Sequence, residues 1–330
     1  MSYLRKQKGI NIGGSTQKRK LMNMGYYHGY KGYRYINTPH NVIQYSDFKE
    51  LLAIYNFDSQ VKALFYPWVM IIETALKNYV LEIIVNKTNS DSFIDIYNQL
   101  LDNYKMFSTK GKSYSSSDKR RKAENQYKNQ LKKRLDLRNR IYSVQTKAFG
   151  NGNKIANHYL QNDLSMPIWG IFELLSLGEF GHFVSCLNEN TRRDFSNKMG
   201  IRQSDDSNAM LPQRLIYAIK DLRNSIAHND VVFDTRFSNG NRIDKQVPHA
   251  ISNATGVQNI TFDTITDYVV LVVYLLSTIK MTKTEMKKIV NNFQEITDEL
   301  RNKIPTTVYN RIIFTDYTNK ITQLKKFISQ

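Results

Sequence analysis

Five stretches of this chain carry their apolar residues as helices do, and hardly any stretch alternates. In YPWVMIIETALKNYVLEIIV (66–85), Val69, Ile72, Leu76, Val80 and Ile83 fall on one stripe, with Pro67 near the expected start, where proline is tolerated. SMPIWGIFELLSLGEFGHFVSCL (165–187) offers Ser165 as an N-cap and Pro167 just inside the helix. TDYVVLVVYLLSTIK (266–280) is apolar all round, as a buried helix is, and TEMKKIVNNFQEITDELRNKI (284–304) is amphipathic. Glycine and proline are sparse, at 15 and 6 of 330 residues, which suits long helices. The expected fold class is therefore all-α, with residues 231–262 the one place for short strands or an irregular loop.

The same patterning sets outer limits. VVLVVYLL (269–276) is the longest apolar run and is far too short to span a bilayer. The N-terminus is basic but has no apolar core of the secretory kind. The single cysteine, Cys186, excludes an internal disulfide and a cysteine-based zinc site. His28 and His158 are too isolated to pair as metal ligands, and GGSTQKRK (13–20) lacks the strand and second glycine of a phosphate loop. No membrane, metal or cofactor is expected, and a reducing bacterial cytoplasm fits best.

Charge is concentrated. The formal net charge is +18; residues 1–46 carry eight cations and no acid, and residues 108–140 carry twelve cations against three acids. Two blocks of this density suit phosphate-bearing partners, RNA above all. In the first, a Tyr/Gly-rich arm over residues 1–44, GYYHGYKGYRYINTPH interleaves aromatic rings with cations. Lys18, Arg19, Lys20, Lys31 and Arg34 could meet phosphates there, and Tyr30 and Tyr33 could stack on bases. A disordered tail is the plainer alternative. The second block, a basic insertion at about 108–140, opens with a Ser-rich loop and becomes helical near Ala123. Its candidate RNA contacts are Lys119, Arg120, Arg121, Lys122, Lys132, Lys133 and Arg134; a solvated helix face is the alternative.

LPQRLIYAIKDLRNSIAH (211–228) sets Leu211, Leu215, Ile219, Leu222 and Ile226 on one stripe. At about 100° per residue Asn224 and His228 lie near each other on the far face, and Arg223 lies at the stripe's edge. A histidine near a helix C-terminus can simply be favoured by the dipole. Arginine, four to six residues, then histidine also occurs at Arg34/His40 and Arg242/His249. There a proline directly precedes the histidine, so neither is expected inside a regular helix.

LRNSIAHND resembles the arginine–polar–histidine motif of HEPN domains. FDSQVKALFYPWVMIIETALKNYV (57–80) and PIWGIFELLSLGEFGHF (167–183) resemble signatures of the Abi family of bacterial abortive-infection proteins, the AbiD/AbiF-like group. The resemblance covers roughly residues 45–300, within an all-α domain taken as 45–330. It implies a HEPN-like helical bundle and a metal-independent endoribonuclease, in which a ribose 2′-OH attacks the neighbouring phosphate. Carried over residue by residue, Arg223 stabilises charge, His228 is the acid/base and Asn224 orients them. One motif per chain implies a homodimer with a composite cleft, and the family implies an anti-phage toxin, in some members beside a small non-coding RNA.

Other residues leave alternatives open. Glu73 sits close to its apolar stripe and could orient Arg223 or form a structural ion pair, with Lys77 as an exposed partner. Glu173 and Trp169 read as packing and capping residues, and His182 as a satisfied core histidine. Beside the nuclease stands a second class of function, a non-catalytic RNA-binding protein on the same scaffold. A DNA-binding regulator is weaker, since no helix-turn-helix pattern is evident.

Overall fold

A computed structural model of the chain describes residues 2–240 and 243–330, apart from the side chains of Ser2, Tyr27 and His28. Arg242 and the His28 ring thus lie outside the described residues. The architecture is all-α: among the described residues the only β pairings are isolated bridges, such as Tyr35 with Val42. In chain order the helices are α1 (Ser2–Lys8), α2 (Ser15–Met24), α3 (Phe48–Thr88), α4 (Phe93–Gln99), α5 (Ser117–Gly150), α6 (Lys154–Leu160), α7 (Ile168–Leu174), α8 (Leu177–Cys186), α9 (Glu189–Lys198), α10 (Leu211–Ala227), α11 (Gln246–Thr255), α12 (Ile265–Thr278), α13 (Lys283–Arg301), α14 (Thr306–Ile313) and α15 (Tyr317–Ser329). The chain divides into two compact units, residues 1–72 with 218–330, and residues 73–217. α3 and α10 carry the chain from one unit to the other.

The first unit is organised on α12. Its continuous apolar run leaves it buried on every side, with Val269 to Val273 at 0% exposure, among α11, α13 and α15. One polar device crosses this core: the Lys320 ammonium lies 2.7 Å from Asp267, whose other oxygen accepts the Phe262 N–H at 2.9 Å. Both side chains are buried, so each offsets the desolvation of the other. The N-terminal arm belongs to this unit and is not a loose tail. Leu4, Ile10, Ile12, Leu21, Met24, Tyr30, Tyr33, Ile36, Ile43 and Tyr45 are all buried, and the Asn11 carbonyl accepts the Phe48 N–H at the start of α3.

In the second unit α5 packs its C-terminal half through Leu137 and Ile141 and meets α6, α7 and α8. α10 begins here: the buried Asp206 carboxylate accepts the N–H groups of Met210 and Leu211 at 2.8 and 3.0 Å, satisfying donors that the first turn leaves open. Gly181 of α8 permits a close approach to α10, since a Cβ there would lie 3.1 Å from the Tyr217 ring and 3.2 Å from Ile216. His182 is satisfied, Nε2 3.0 Å from the Lys133 carbonyl, but half-buried and not a core residue; its partial burial lowers its pKa below the ordinary imidazole value.

Several expected boundaries are corrected. Pro67 is not near a helix start but inside the 41-residue α3; it lies on the exposed side of the helix, where water can satisfy the carbonyl that loses its donor. The segment 165–187 is two helices, because Ser176 starts α8 with a capping box to Glu179. Glu173 is exposed and is not the capping residue of α8, and Trp169, 42% exposed, meets Tyr159 edge-on. The basic block is helical from Ser117, capped by Ser116, and not from Ala123. Within 231–262, residues 246–255 are helical, and Pro248 and His249 lie in that helix after all. The first turn needs no donor from Pro248. Substituting Gly181 by Val should lower stability in urea denaturation by about 1–3 kcal/mol through overpacking; an unchanged midpoint would contradict the close approach.

Candidate functional site

The site is the C-terminal end of α10. Its stripe is buried as the spacing requires, with Leu222 at 0% and Ile226 at 8% exposure. Arg223 and Asn224 are half-buried beside it, and His228 is exposed. Asn224 Oδ1 lies 3.4 Å from Arg223 Nη1, so these neighbours are in contact. The His228 N–H still donates to the Asn224 carbonyl at 2.9 Å, which makes His228 the last residue held by helical bonding.

Beyond His228 the helix closes in a Schellman motif. Asn229 adopts φ 56°, its N–H donates to the Ile226 carbonyl at 3.2 Å, and the Asp230 N–H donates to the Ser225 carbonyl at 2.8 Å. The turn is then gripped by two side chains from one turn of α3. Lys62 Nζ lies 2.7 Å from Asn229 Oδ1, 3.3 Å from the Asp230 carbonyl and 2.9 Å from Asp58. Asp58 Oδ1 accepts the N–H groups of Val232 and Phe233, both at 2.7 Å, and its Oδ2 accepts the Tyr33 hydroxyl at 2.7 Å. Burial first, and then the Asp58 carboxylate, push the Tyr33 phenol pKa well up, so it remains a donor.

The N-terminal arm completes the surroundings. The Asn37 N–H donates to Asp234 at 2.6 Å, and Arg236 donates to the Tyr35 carbonyl at 2.8 Å while its guanidinium lies 4.1 Å from the Tyr35 ring centre. Arg236 in turn pairs with Asp234 at 2.6 Å. The loop that follows the Arg–His motif is therefore fixed by the arm on one side and α3 on the other. His40 is exposed in a tight turn.

The remaining candidates scatter. Glu73 is buried and pairs with Lys77 at 2.9 Å. Lys77 is not the exposed partner expected: its side chain is 12% exposed and also donates to the Leu175 carbonyl at 2.7 Å. Tyr30 and Tyr33 are buried, at 5% and 2% exposure, and offer no face to a base; their rings belong to the core. Lys18, Arg19 and Lys20 lie exposed on α2, while Lys31 and Arg34 are half-buried beside Tyr26 and Tyr35. On α5, Lys119, Arg120, Arg121, Lys122, Lys132 and Lys133 are exposed. Arg134 is different: it stacks 3.7 Å from the Tyr97 ring centre and donates to the Tyr97 carbonyl at 2.8 Å, a structural role that removes it from the candidate RNA-binding residues.

Sequence reasoning missed Asp58 and Lys62. The signal was present, since an acid and a lysine four residues apart interrupt the apolar stripe of FDSQVKALF, as Glu73 and Lys77 do one stretch later. Among the described residues no group of three or more His, Cys, Asp or Glu side chains is placed to hold a metal ion, and no helix is long and apolar enough to cross a membrane.

A family model described as Abi-like protein matches residues 19–234. The match begins inside the N-terminal arm, earlier than the motif resemblance near residue 45, and ends at Asp234, the arm's own anchor. No curated protein and no solved structure matches the chain. With well over half of its residues matched, the chain belongs to the Abi-like protein family.

Proposed function

We propose that this protein is a metal-independent endoribonuclease of HEPN type that acts as a toxin in abortive infection. Membership of the Abi-like family suggests the abortive-infection role. The observation that supports the chemistry is the exposed His228 at the end of α10, with Arg223 and Asn224 in contact one turn before it. An imidazole can take or give a proton near neutral pH. A guanidinium can stabilise the extra negative charge of a pentacoordinate phosphate through charge-assisted hydrogen bonds.

In the proposed reaction His228 takes the proton of a ribose 2′-OH, whose oxygen attacks the adjacent phosphorus. The bond from phosphorus to the 5′ oxygen breaks, leaving a 2′,3′-cyclic phosphate and a 5′-OH. The departing oxygen needs a proton, which the His228 of a second copy supplies in a composite homodimer cleft. The exposed cations of α5, Lys119, Arg120, Arg121, Lys122, Lys132 and Lys133 among them, bind the RNA backbone, whether of a substrate or of a small non-coding RNA that keeps the toxin silent. Over its 34 residues α5 is about 50 Å long, enough to follow many phosphates. The same exposed cations favour a second reading, a non-catalytic RNA-binding protein of the bacterial cytoplasm.

Purified protein freed of nucleic acid should cut end-labelled RNA in EDTA. His228→Ala should lose about 10²–10⁴-fold in rate and Arg223→Ala about 10²–10³-fold, both with RNA binding retained. Binding by all three proteins with cleavage by none would leave only the second reading. Reversing Lys119, Arg120, Arg121 and Lys122 to Glu should flatten the salt dependence of RNA binding, by about 0.7 in slope for each phosphate of a single strand that is no longer neutralised. An unchanged slope would remove α5 from the interface.

A further inference from the structure

We infer that Lys62 is the positioning residue for His228, acting through the side chain of Asn229. The catalytic consequence rests on the nuclease reading above, whereas the positioning itself does not.

Lys62 is 8% exposed, and an ammonium has three protons to place. All three have acceptors: Asp58 Oδ2 at 2.9 Å, Asn229 Oδ1 at 2.7 Å and the Asp230 carbonyl at 3.3 Å. A buried cation is costly, and apolar contact alone could close a helix end without one. What the charge adds is direction. Two of its three bonds go to the two residues directly after His228, while the His228 N–H is fixed to the Asn224 carbonyl at 2.9 Å on the other side. The backbone that carries the imidazole is thus held from both ends.

The residue at the turn supports the same reading. Position 229 has φ 56°, where glycine is the usual choice because it lacks a Cβ. This chain uses Asn there, a residue that tolerates the left-handed region and adds an amide oxygen. That oxygen is the closest of the three partners of Lys62. The backbone could have been left to glycine; the amide serves the lysine.

The test uses the full chain and three substitutions. Asn229→Gly keeps the turn and deletes the acceptor, Asn229→Asp restores an acceptor that tolerates the same φ, and Lys62→Met removes the charge at similar length. Asn229→Gly should keep the unfolding midpoint of the wild type yet cut RNA with kcat lowered about 10–100-fold, as a small misplacement of a reacting group does. Its KM should stay within about two-fold. Asn229→Asp should recover most of kcat, and Lys62→Met should lose both kcat and stability because the buried Asp58 loses its counter-charge. Full kcat in Asn229→Gly would overturn the positioning role and leave the nuclease standing. The NMR signals of the His228 imidazole give a reading that needs no activity. They should shift or broaden in Asn229→Gly and return in Asn229→Asp. Identical signals in all three proteins would overturn the inference even if the wild type cuts nothing.

Discussion

A carboxylate with no exposure to water organises the end of α10. Asp58 accepts two backbone N–H groups, a tyrosine hydroxyl and a lysine ammonium. Left uncompensated, such a charge would cost several kcal/mol; with four donors it becomes a fixed point. The donors come from three parts of the chain: α3 itself, the arm at Tyr33, and the loop at Val232 and Phe233. Removing Asp58 would take the acceptor from the Val232 and Phe233 N–H groups and the Tyr33 hydroxyl at once, and the counter-charge from Lys62. Because the loop begins two residues after His228, the same carboxylate that closes the core also decides where the candidate acid/base stands.

The fold was legible wherever one face of a helix meets one core. The stripe of Leu211, Leu215, Ile219, Leu222 and Ile226 located α10, and the unbroken apolar run of 269–276 located α12. Breaks set by capping were harder to see. Ser176 divides 165–187 because its hydroxyl and Glu179 satisfy each other's backbone donors, a local gain that apolar periodicity does not register. Pro67 misled in the opposite direction, since on an exposed face it costs less than in a buried one.

The candidate site was half legible. Asn224 and His228 stand out as polar residues opposite a strong stripe with Arg223 at its edge, and the structure leaves His228 exposed. Their supports are distant in sequence: Tyr33 and Asp58 are 25 residues apart, and Asp58 and Val232 are 174 apart. No periodicity links residues at such separations. The tyrosine-rich arm shows the hazard most clearly. Rings interleaved with cations suit RNA, but Tyr33 donates to a buried carboxylate and Tyr35 carries Arg236 on its face. Composition reports which groups are present, and only the tertiary fold decides which of them still face water.

In the proposed reaction a ribose hydroxyl is the nucleophile. The most direct test is an RNA with a single cleavage site, compared with the same strand carrying one 2′-deoxyribose immediately 5′ to the scissile phosphate. The account predicts that the all-ribose strand is cut in EDTA, with a 2′,3′-cyclic phosphate end, while the substituted strand binds equally and stays whole at that linkage. Cleavage of the substituted strand at the same position would contradict it, because the attacking oxygen would then come from elsewhere.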